Sequence, residues 1–168
     1  TIAAMTPDGL YEFAPAPNVE PRRMSRERIP EALLAIDTEL FDVQLEYNTP
    51  YHGIDIYVTP TTAGQTTHYF FHWPTKAFLP FILASPDFDP TATTSHAIGD
   101  IGIRKVIMGG RDGYLRQFDD VAPDDDDLDF DSNVLLGPIP LGGNGYNEGI
   151  LREVIGQLST LSGEMWMS

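Results

Sequence analysis

The densest group of side chains with chemical potential is a run of aspartates at residues 119–131, "DDVAPDDDDLDFD", which holds eight aspartates in thirteen positions. Asp127, Asp129 and Asp131 alternate with two apolar residues, so an extended chain would place the three carboxylates on one face. Calcium takes six to eight oxygen ligands, and the sequence therefore predicts a Ca²⁺ site here. An EF-hand does not fit, because Ser132 stands at the sixth position and Pro138 at the twelfth. A solvated acidic loop is the alternative interpretation, and it is the favoured one.

Two histidines, His68 and His72, stand four residues apart in "THYFFHWP". That spacing is typical of zinc ligands on a helix, but the segment reads as a strand, where an even spacing also places both rings on one face. The sequence contains no HExxH zinc motif and no G-x-S-x-G serine-hydrolase elbow. With 25 acidic residues, a carboxylate pair for glycoside hydrolysis remains open, and none is singled out. No catalytic residue and no cofactor other than calcium is predicted.

Aromatic residues cluster at 69–81 and have two interpretations. They would line a sugar-binding site, or they would form the core and pack one sheet on the next, and the core interpretation is favoured. The cluster consists of Tyr69, Phe70, Phe71, Trp73, Phe78 and Phe81.

The glycine-rich stretch "GGRDGYLRQFDD" at 109–120 is predicted to be a hairpin and not a phosphate loop. A phosphate loop follows a strand and opens a helix, whereas here an alternating strand pattern follows Gly113 and no Lys-Ser/Thr pair is present. Asp112 and Gly113 are the expected turn residues. Asp8 and Gly9 form the same dipeptide in "TPDGLYEF", and we predict that the same hairpin turn motif occurs at both places.

Short strands between turn residues must position all these groups. Four of them, "DVQLEYN", "GIDIYVTP", "THYFFHW" and "TKAFLPF", are predicted to form an antiparallel set over about residues 42–83, with a corner at Trp73. One short helix is predicted in "RIPEALLAIDTEL", where Ile29, Leu33, Ile36 and Leu40 recur at helical spacing and Pro30 fits the first turn.

Repeated strand sets of this kind predict an all-β fold of antiparallel, β-propeller-like blades, about two to three of them, with one short helix. A β-sandwich is the alternative. Blade-like units are expected at about 42–83 and 104–168. Both ends of the chain, "TIAAM" and "GEMWMS", read as strands, so residues 1–168 are expected to be one propeller-like segment of a longer polypeptide.

Composition narrows the classes of partner. The net charge of −15 disfavours nucleic-acid binding through phosphates, which needs clustered Lys and Arg. The chain has no cysteine, which excludes disulfides and thiolate metal sites. No apolar run approaches the ~18 residues of a membrane span, and no membrane partner is expected.

The segments "GIDIYVTP", "THYFFHWPTKAFLPF", "RKVIMGGRDGYLRQFDD", "SNVLLGPIPLGG" and "EGILREVIGQL" together resemble propeller-like structural proteins of tailed bacteriophages, over about residues 40–157. In that group a strand ending in YVTP leads to a Thr-His-aromatic strand, an aromatic corner and a GGRDGYLR hairpin. A more distant likeness is to quinoprotein-type propellers, from which the chain departs because Lys76 follows Thr75 where those have Gly. The Asp box of sialidases is absent.

The phage resemblance implies a non-enzymatic virion structural protein of the tail or the nozzle-like head-to-tail region. Such a protein would be assembled in the host bacterial cytoplasm, in multiple copies, with other copies of itself and other virion proteins as partners. The alternative is a carbohydrate-binding or glycan-hydrolysing propeller for host attachment. A protein-binding propeller of the bacterial surface or periplasm is a third interpretation.

Overall fold

The computed structural model describes residues 2–16, 18–24, 29–97, 104–118, 122 and 124–128. The chain divides into two compact units, residues 1–120 and residues 121–168. The first unit contains three antiparallel sheets, and the prediction of an all-β fold with antiparallel sheets and one short α-helix is confirmed. The described sheets agree with blade-like packing and with a sandwich, the two predicted architectures.

The first sheet has the order β1-β2-β3, with β1 at Ile2–Thr6, β2 at Gly9–Phe13 and β3 at Arg22–Arg23. Thr6 pairs with Gly9, so only Pro7 and Asp8 lie between the strands. Gly9 has a φ of 132°, which an L-side chain rarely adopts. The first predicted Asp-Gly hairpin is therefore confirmed, whereas β3 was not expected from the sequence.

The α-helix α1 spans only Glu31–Leu34, with Pro30 at its N-cap, and is shorter than the apolar spacing predicted. Asp37 explains the early end, because its carboxylate accepts a hydrogen bond from the Glu39 backbone N–H at 2.9 Å and holds a turn there. Leu33 is buried, but Leu40 is 56% exposed and does not belong to the helix's apolar face.

The second sheet, called the central sheet below, has the order β4-β5-β6-β7. Its strands are β4 at Phe41–Asn48, β5 at Gly53–Pro60, β6 at His68–His72 and β7 at Ala77–Phe81, and the predicted four-stranded set is confirmed. The corner after β6 begins at Trp73, whose backbone N–H donates to the His52 carbonyl at 3.0 Å.

The third sheet has the order β10-β9-β8, with β8 at Ala92–Ala97, β9 at Arg104–Gly109 and β10 at Leu115–Gln117. A short 3₁₀ helix, Pro86–Phe88, precedes it. The second Asp-Gly hairpin is confirmed, but its loop has five residues and not two, because Gly109 pairs with Leu115. The sheet starts at residue 92, upstream of the unit predicted at 104–168, most of which lies outside the described residues.

Two apolar clusters lie on opposite faces of the central sheet. One face packs against the first sheet and α1, through residues Leu10, Met24, Leu33, Ile54, Ile56, Val58, Tyr69 and Phe71. The opposite face packs against the third sheet, through residues Tyr57, Val106 and Met108, with Phe81 and Phe118 at the margin. The strand alternation of β5 separates the two sets, since Ile56 and Tyr57 point to opposite sides.

Candidate functional site

A layer of buried polar side chains lies on the face of the central sheet that packs against the third sheet. It is called the polar layer here and consists of Asn48, Asp55, Tyr57, Thr59 and His68 from the central sheet and Asp89 from the loop before β8. Each of these residues is at least nine-tenths buried. Burying polar groups is costly unless hydrogen bonds replace those to water, so the pairing of each group decides what the layer can do.

His68 and Asp89 form a hydrogen-bonded pair inside the layer. The Val58 backbone N–H donates to Nδ1 of His68 at 3.2 Å, which makes that nitrogen the acceptor. The other ring nitrogen, Nε2, then carries the proton and lies 3.0 Å from Oδ1 of Asp89. This arrangement is a neutral imidazole oriented by a carboxylate, the same pairing that orients catalytic histidines.

Asp55 and Glu46 form a second group of carboxyl side chains, on neighbouring strands. They are register partners of β5 and β4, and directly opposite residues lie on the same face of a sheet. Asn48 donates to Asp55 through its side-chain amide at 2.9 Å. Burial raises the pKa of the Asp55 carboxyl to about 6, the Asn48 hydrogen bond opposes that rise, and the charge of Glu46 adds to it.

Thr59 and Tyr57 complete the layer in opposite ways. The Thr59 hydroxyl donates to the carbonyl of Pro90 at 2.8 Å and so ties the loop before β8 to the central sheet. The Tyr57 hydroxyl is buried and has no hydrogen-bond partner among the described residues. Burial, followed by the charges of Asp55 and Glu46, raises the pKa of Tyr57 well above its usual range.

The polar layer has the residue types of an acid–base site but not the access that such a site needs. A general acid or base must come within hydrogen-bond distance of its substrate, whereas His68 and Asp89 are fully buried. One cavity that Asn48 of the layer lines has a volume of about 30 Å³, with Tyr51, Lys105 and Phe118 among its other lining residues. A cavity of that size accommodates water and not a substrate.

The two histidines with zinc-like spacing, His68 and His72, lie on one side of β6, as the even spacing predicts, but they make different contacts. The His72 ring nitrogen Nδ1 lies 2.7 Å from the Thr75 hydroxyl, while His68 is engaged with Asp89. In the part of the chain that the structure describes, no group of three or more His, Asp or Glu side chains is placed to hold a metal ion.

Of the predicted calcium ligands, Asp129 and Asp131 lie outside the described residues. Asp127 does not have the extended conformation on which the prediction rested: it and Asp126 have positive φ angles of 66° and 55°. Asp125 and Leu128 form a strand-like bridge, so Asp126 and Asp127 lie at the centre of a tight turn. The Asp127 N–H donates to Oδ1 of Asp124 at 3.2 Å. Calcium binding stays a prediction.

The predicted turn residues Asp112 and Gly113 lie in the β9–β10 loop. Asp112 accepts hydrogen bonds from the Tyr114 backbone N–H at 3.1 Å and from the Arg116 guanidinium at 2.6 and 2.9 Å. The Arg116 hydrogen bond lowers the pKa of the Asp112 carboxyl. Gly113 has a φ of 85° and so supplies the backbone conformation that closes the turn. In the first hairpin, the Asp8 carbonyl accepts a hydrogen bond from Arg23.

The aromatic cluster is divided between the two faces of the central sheet. Phe71 and Tyr69 are buried in the cluster against the first sheet, with Phe78 beside them, as the core interpretation predicted. Phe70 and Phe81 lie on the opposite face. Trp73 lies at an open cleft of about 620 Å³, which it lines together with Tyr47, Ile54 and His52. The Lys76 ammonium lies 4.5 Å from the centre of the Trp73 ring and occupies part of that ring's surface.

The chain matches no protein-family model, no curated protein and no solved structure. No helix among the described residues is both long and apolar enough to cross a membrane.

Sequence reasoning missed Asp55, Tyr57 and Asp89 as members of one layer. Asp55 and Tyr57 did carry a signal, because they interrupt "GIDIYVTP" on the side opposite to Ile54, Ile56 and Val58. In a strand buried on both faces, such a polar residue needs a partner. Asp89 carried no comparable signal, since its partner His68 is 21 residues away and the loop between them sets the contact.

Proposed function

We propose that this chain is a non-enzymatic structural protein that assembles in multiple copies. Residues 40–157 resemble propeller-like structural proteins of tailed bacteriophages, and on this basis we propose that the assembly is a virion and that the chain lies in its tail or head-to-tail region. The observation that carries the proposal is the distribution of side chains: the groups with acid–base potential, His68 and Asp89, are sealed between two sheets, while large apolar side chains are exposed at sheet edges.

The exposed apolar side chains support assembly because they lie where another chain can reach them. Leu115, on edge strand β10, is 79% exposed, and Tyr114 next to it is also exposed. Leu79 is exposed on β7, the edge strand of the central sheet, and Ile2 on β1. Edge strands offer unpaired backbone groups as well as side chains, so apolar residues there favour contact with a neighbouring subunit.

The copy number of the purified chain tests the assembly part of the proposal. We expect native mass spectrometry to detect multimers, and Leu115→Lys to shift the distribution towards the monomer because a buried lysine would need a partner. Val19→Lys is the matched control, because Val19 is also exposed but lies outside the strands. A monomer at all concentrations, or equal effects of both variants, would contradict assembly through this edge.

The virion part needs a separate test. Purified particles of the phage that encodes the chain are digested, and the peptides are identified by mass spectrometry. Peptides of this chain together with portal or tail proteins are the expected result. Their absence from intact particles would contradict a virion role, whatever the copy number in solution.

A carbohydrate-binding propeller for host attachment is the second candidate, and the cleft beside Trp73 and Tyr47 favours it. Aromatic side chains with an apolar face and a polar edge are suited to sugars. If this candidate is correct, a glycan array binds the wild-type chain and not Trp73→Ala. Trp73→Phe, which keeps an aromatic face, is the control. Absence of glycan binding by the wild type excludes this candidate.

A further inference from the structure

Asp55 is buried in the interface between two sheets, and the half-buried Glu46 lies beside it on edge strand β4. Asp55 is on the face of β5 that also carries Tyr57, and the Tyr57 ring packs against Val106 and Met108 of the third sheet. Asn48, which donates to Asp55, lines a small cavity together with Lys105 and Val106 of β9. A charge on Asp55 is therefore placed where the third sheet covers the central sheet.

The surroundings of Asp55 offer little to stabilise a negative charge. Glu46 is directly opposite on β4 and is itself acidic, while Phe70 is the register partner on β6. Within the described residues, neither of the ion pairs involves Asp55. By strand alternation, the titratable or charged side chains on the inward faces of the packed elements are Asp42, Glu46, Tyr57, His68, His72, Asp89, Arg104 and Arg116, with Lys105 at the cavity.

The two arginines in that set are engaged elsewhere or lie towards solvent, and His68 is a neutral imidazole. Arg116 pairs with Asp112 at 2.6 Å, and its guanidinium lies 3.9 Å from the centre of the Phe88 ring. Arg104 is exposed at the start of β9. His68 is held by Asp89. The nearest acid, Glu46, shares the face with Asp55, so two carboxylates in this position repel each other and favour retention of one proton.

We propose that the Asp55–Glu46 pair makes the attachment of the third sheet to the central sheet pH-sensitive. With a proton on the pair the third sheet is held closed. Loss of that proton leaves a negative charge in the interface, which is relieved when the sheets separate and water reaches Asp55. The device is independent of the proposed function, because it rests only on the contacts between two sheets.

The direction of the effect follows from where the proton is held. The pKa of Asp55 in the closed state is about 6, against 3.8 for a solvated carboxyl. Between these values the closed state keeps the proton and an opened state loses it. The closed state is therefore favoured at low pH; this advantage is complete below about pH 3.8 and is lost as the pH rises from there through about 6. A difference of about two pH units corresponds to a change of about 100-fold in the opening equilibrium.

Hydrogen exchange of the whole chain, read by mass spectrometry at intervals from about pH 5 to about pH 7.5 and corrected for intrinsic exchange, tests the proposal. We expect opening of peptides from β9 to increase by about 10-fold from about pH 5 to about pH 7.5, because an opened Asp55 has already lost its proton at about pH 5 and the rest of the about 100-fold change lies below that pH. Peptides from β1 and β2 should change much less. Asp55→Asn keeps the shape of the side chain without its charge and should remove the pH dependence. Glu46→Gln should move its midpoint to lower pH.

Two results would overturn the proposal. One is an equal change with pH in the first and third sheets, which would assign the effect to global unfolding. The other is a wild-type pH profile that survives in Asp55→Asn. If Asp55→Asn does not fold, the Glu46→Gln profile decides, because an unshifted midpoint would exclude the carboxyl pair as the titrating group.

Discussion

Both faces of the central sheet are buried, yet different interactions stabilise them. The face towards the first sheet is apolar, with Ile54, Ile56 and Phe71 packed against Leu10. The face towards the third sheet carries the polar layer, and the apolar side chains of Val106 and Met108 from β9 pack against it. Burial on the first face stabilises by removing apolar area from water, at about 25 cal/mol per Å². On the second face, stability depends on whether each polar group finds its partner.

The difference between the two faces also appears within the single strand β5, whose alternate residues face opposite sides. In β5, Ile54, Ile56 and Val58 need only suitable size and shape, and cores tolerate exchange among such residues. Asp55, Tyr57 and Thr59 alternate with them. Asp55 depends on the Asn48 amide and Thr59 on the Pro90 carbonyl, whereas the Tyr57 hydroxyl has no partner among the described residues. We therefore expect substitutions on the apolar face to cost energy in proportion to the volume removed. On the polar face, the cost should follow the number of groups left without a partner.

Phe71→Ala is expected to have the largest effect, a loss of about 3–5 kcal/mol in the free energy of unfolding. Phe71 is fully buried and contacts the rings of Phe78 and Trp73, with ring centres 4.9 and 6.4 Å away. Denaturant unfolding measured at about pH 5 and about pH 7.5 should give the same loss at both, because no titrating group is removed.

Leu79→Ala is the control for Phe71→Ala. Leu79 lies on neighbouring strand β7 but is 53% exposed, so its truncation should change the free energy of unfolding by less than about 1 kcal/mol. Similar losses for the two variants would contradict the assignment of Phe71 to the core.

His68→Leu is expected to cost about 2–4 kcal/mol, although it replaces a buried side chain with an apolar one of similar size. The substitution leaves two buried groups without partners, the Val58 N–H and Oδ1 of Asp89, and each such group costs about 1–3 kcal/mol. Thermal or denaturant unfolding measures the loss.

The matched control is His96→Leu, on β8. His96 is exposed, and the change should stay within about 0.5 kcal/mol. If His68→Leu were neutral or stabilising, the polar layer would not depend on paired groups, and the distinction between the two faces would fail.

The strands and hairpins were predictable because their signals are local. Alternation in "DVQLEYN" and the Asp-Gly dipeptides at Asp8 and Asp112 each describe fewer than ten residues. The short helix was predictable in position but not in length, since the turn at Asp37 outweighs an apolar spacing that continues to Leu40. Strand β8, "ATTSHA", lacks large apolar residues and forms because β9 pairs with it.

The candidate site was not predictable, because its members come from distant parts of the chain. His68 was noticed for its spacing from His72, whereas its contacts are the Val58 backbone and Asp89. Asp55 and Glu46 are nine residues apart and are brought together by the register of β4 with β5. A one-residue change in that register would turn Glu46 to the other face.

Gly53→Ala is expected to cost about 1–3 kcal/mol, which is less than the loss of a paired group. Gly53 opens β5 on the polar face, and a Cβ there would lie 2.1 Å from the Phe70 ring and 2.6 Å from the Phe71 carbonyl. The ring can rotate but the backbone carbonyl cannot, so the strands must shift. Chemical denaturation measures the change.

Gly64→Ala is the control for this substitution, because among the described residues only Pro60 Cγ comes near its Cβ, at 4.0 Å. It should be neutral or slightly stabilising. Equal effects of the two variants would show that the contact between β5 and the Phe70 ring is not tight.

Tyr57→Phe should have the smallest effect and the opposite sign. The Tyr57 ring is fully buried between Val106 and Met108, but its hydroxyl has no hydrogen-bond partner among the described residues. Removing an unpaired buried hydroxyl keeps the packing and removes a desolvation cost, so the free energy of unfolding should be unchanged or higher by up to about 1 kcal/mol. A loss above about 1 kcal/mol would show that the hydroxyl is paired. If Tyr57→Phe is neutral while His68→Leu is costly, the stability of this face depends on the hydrogen bonds between its polar groups and not on the burial of polar atoms as such.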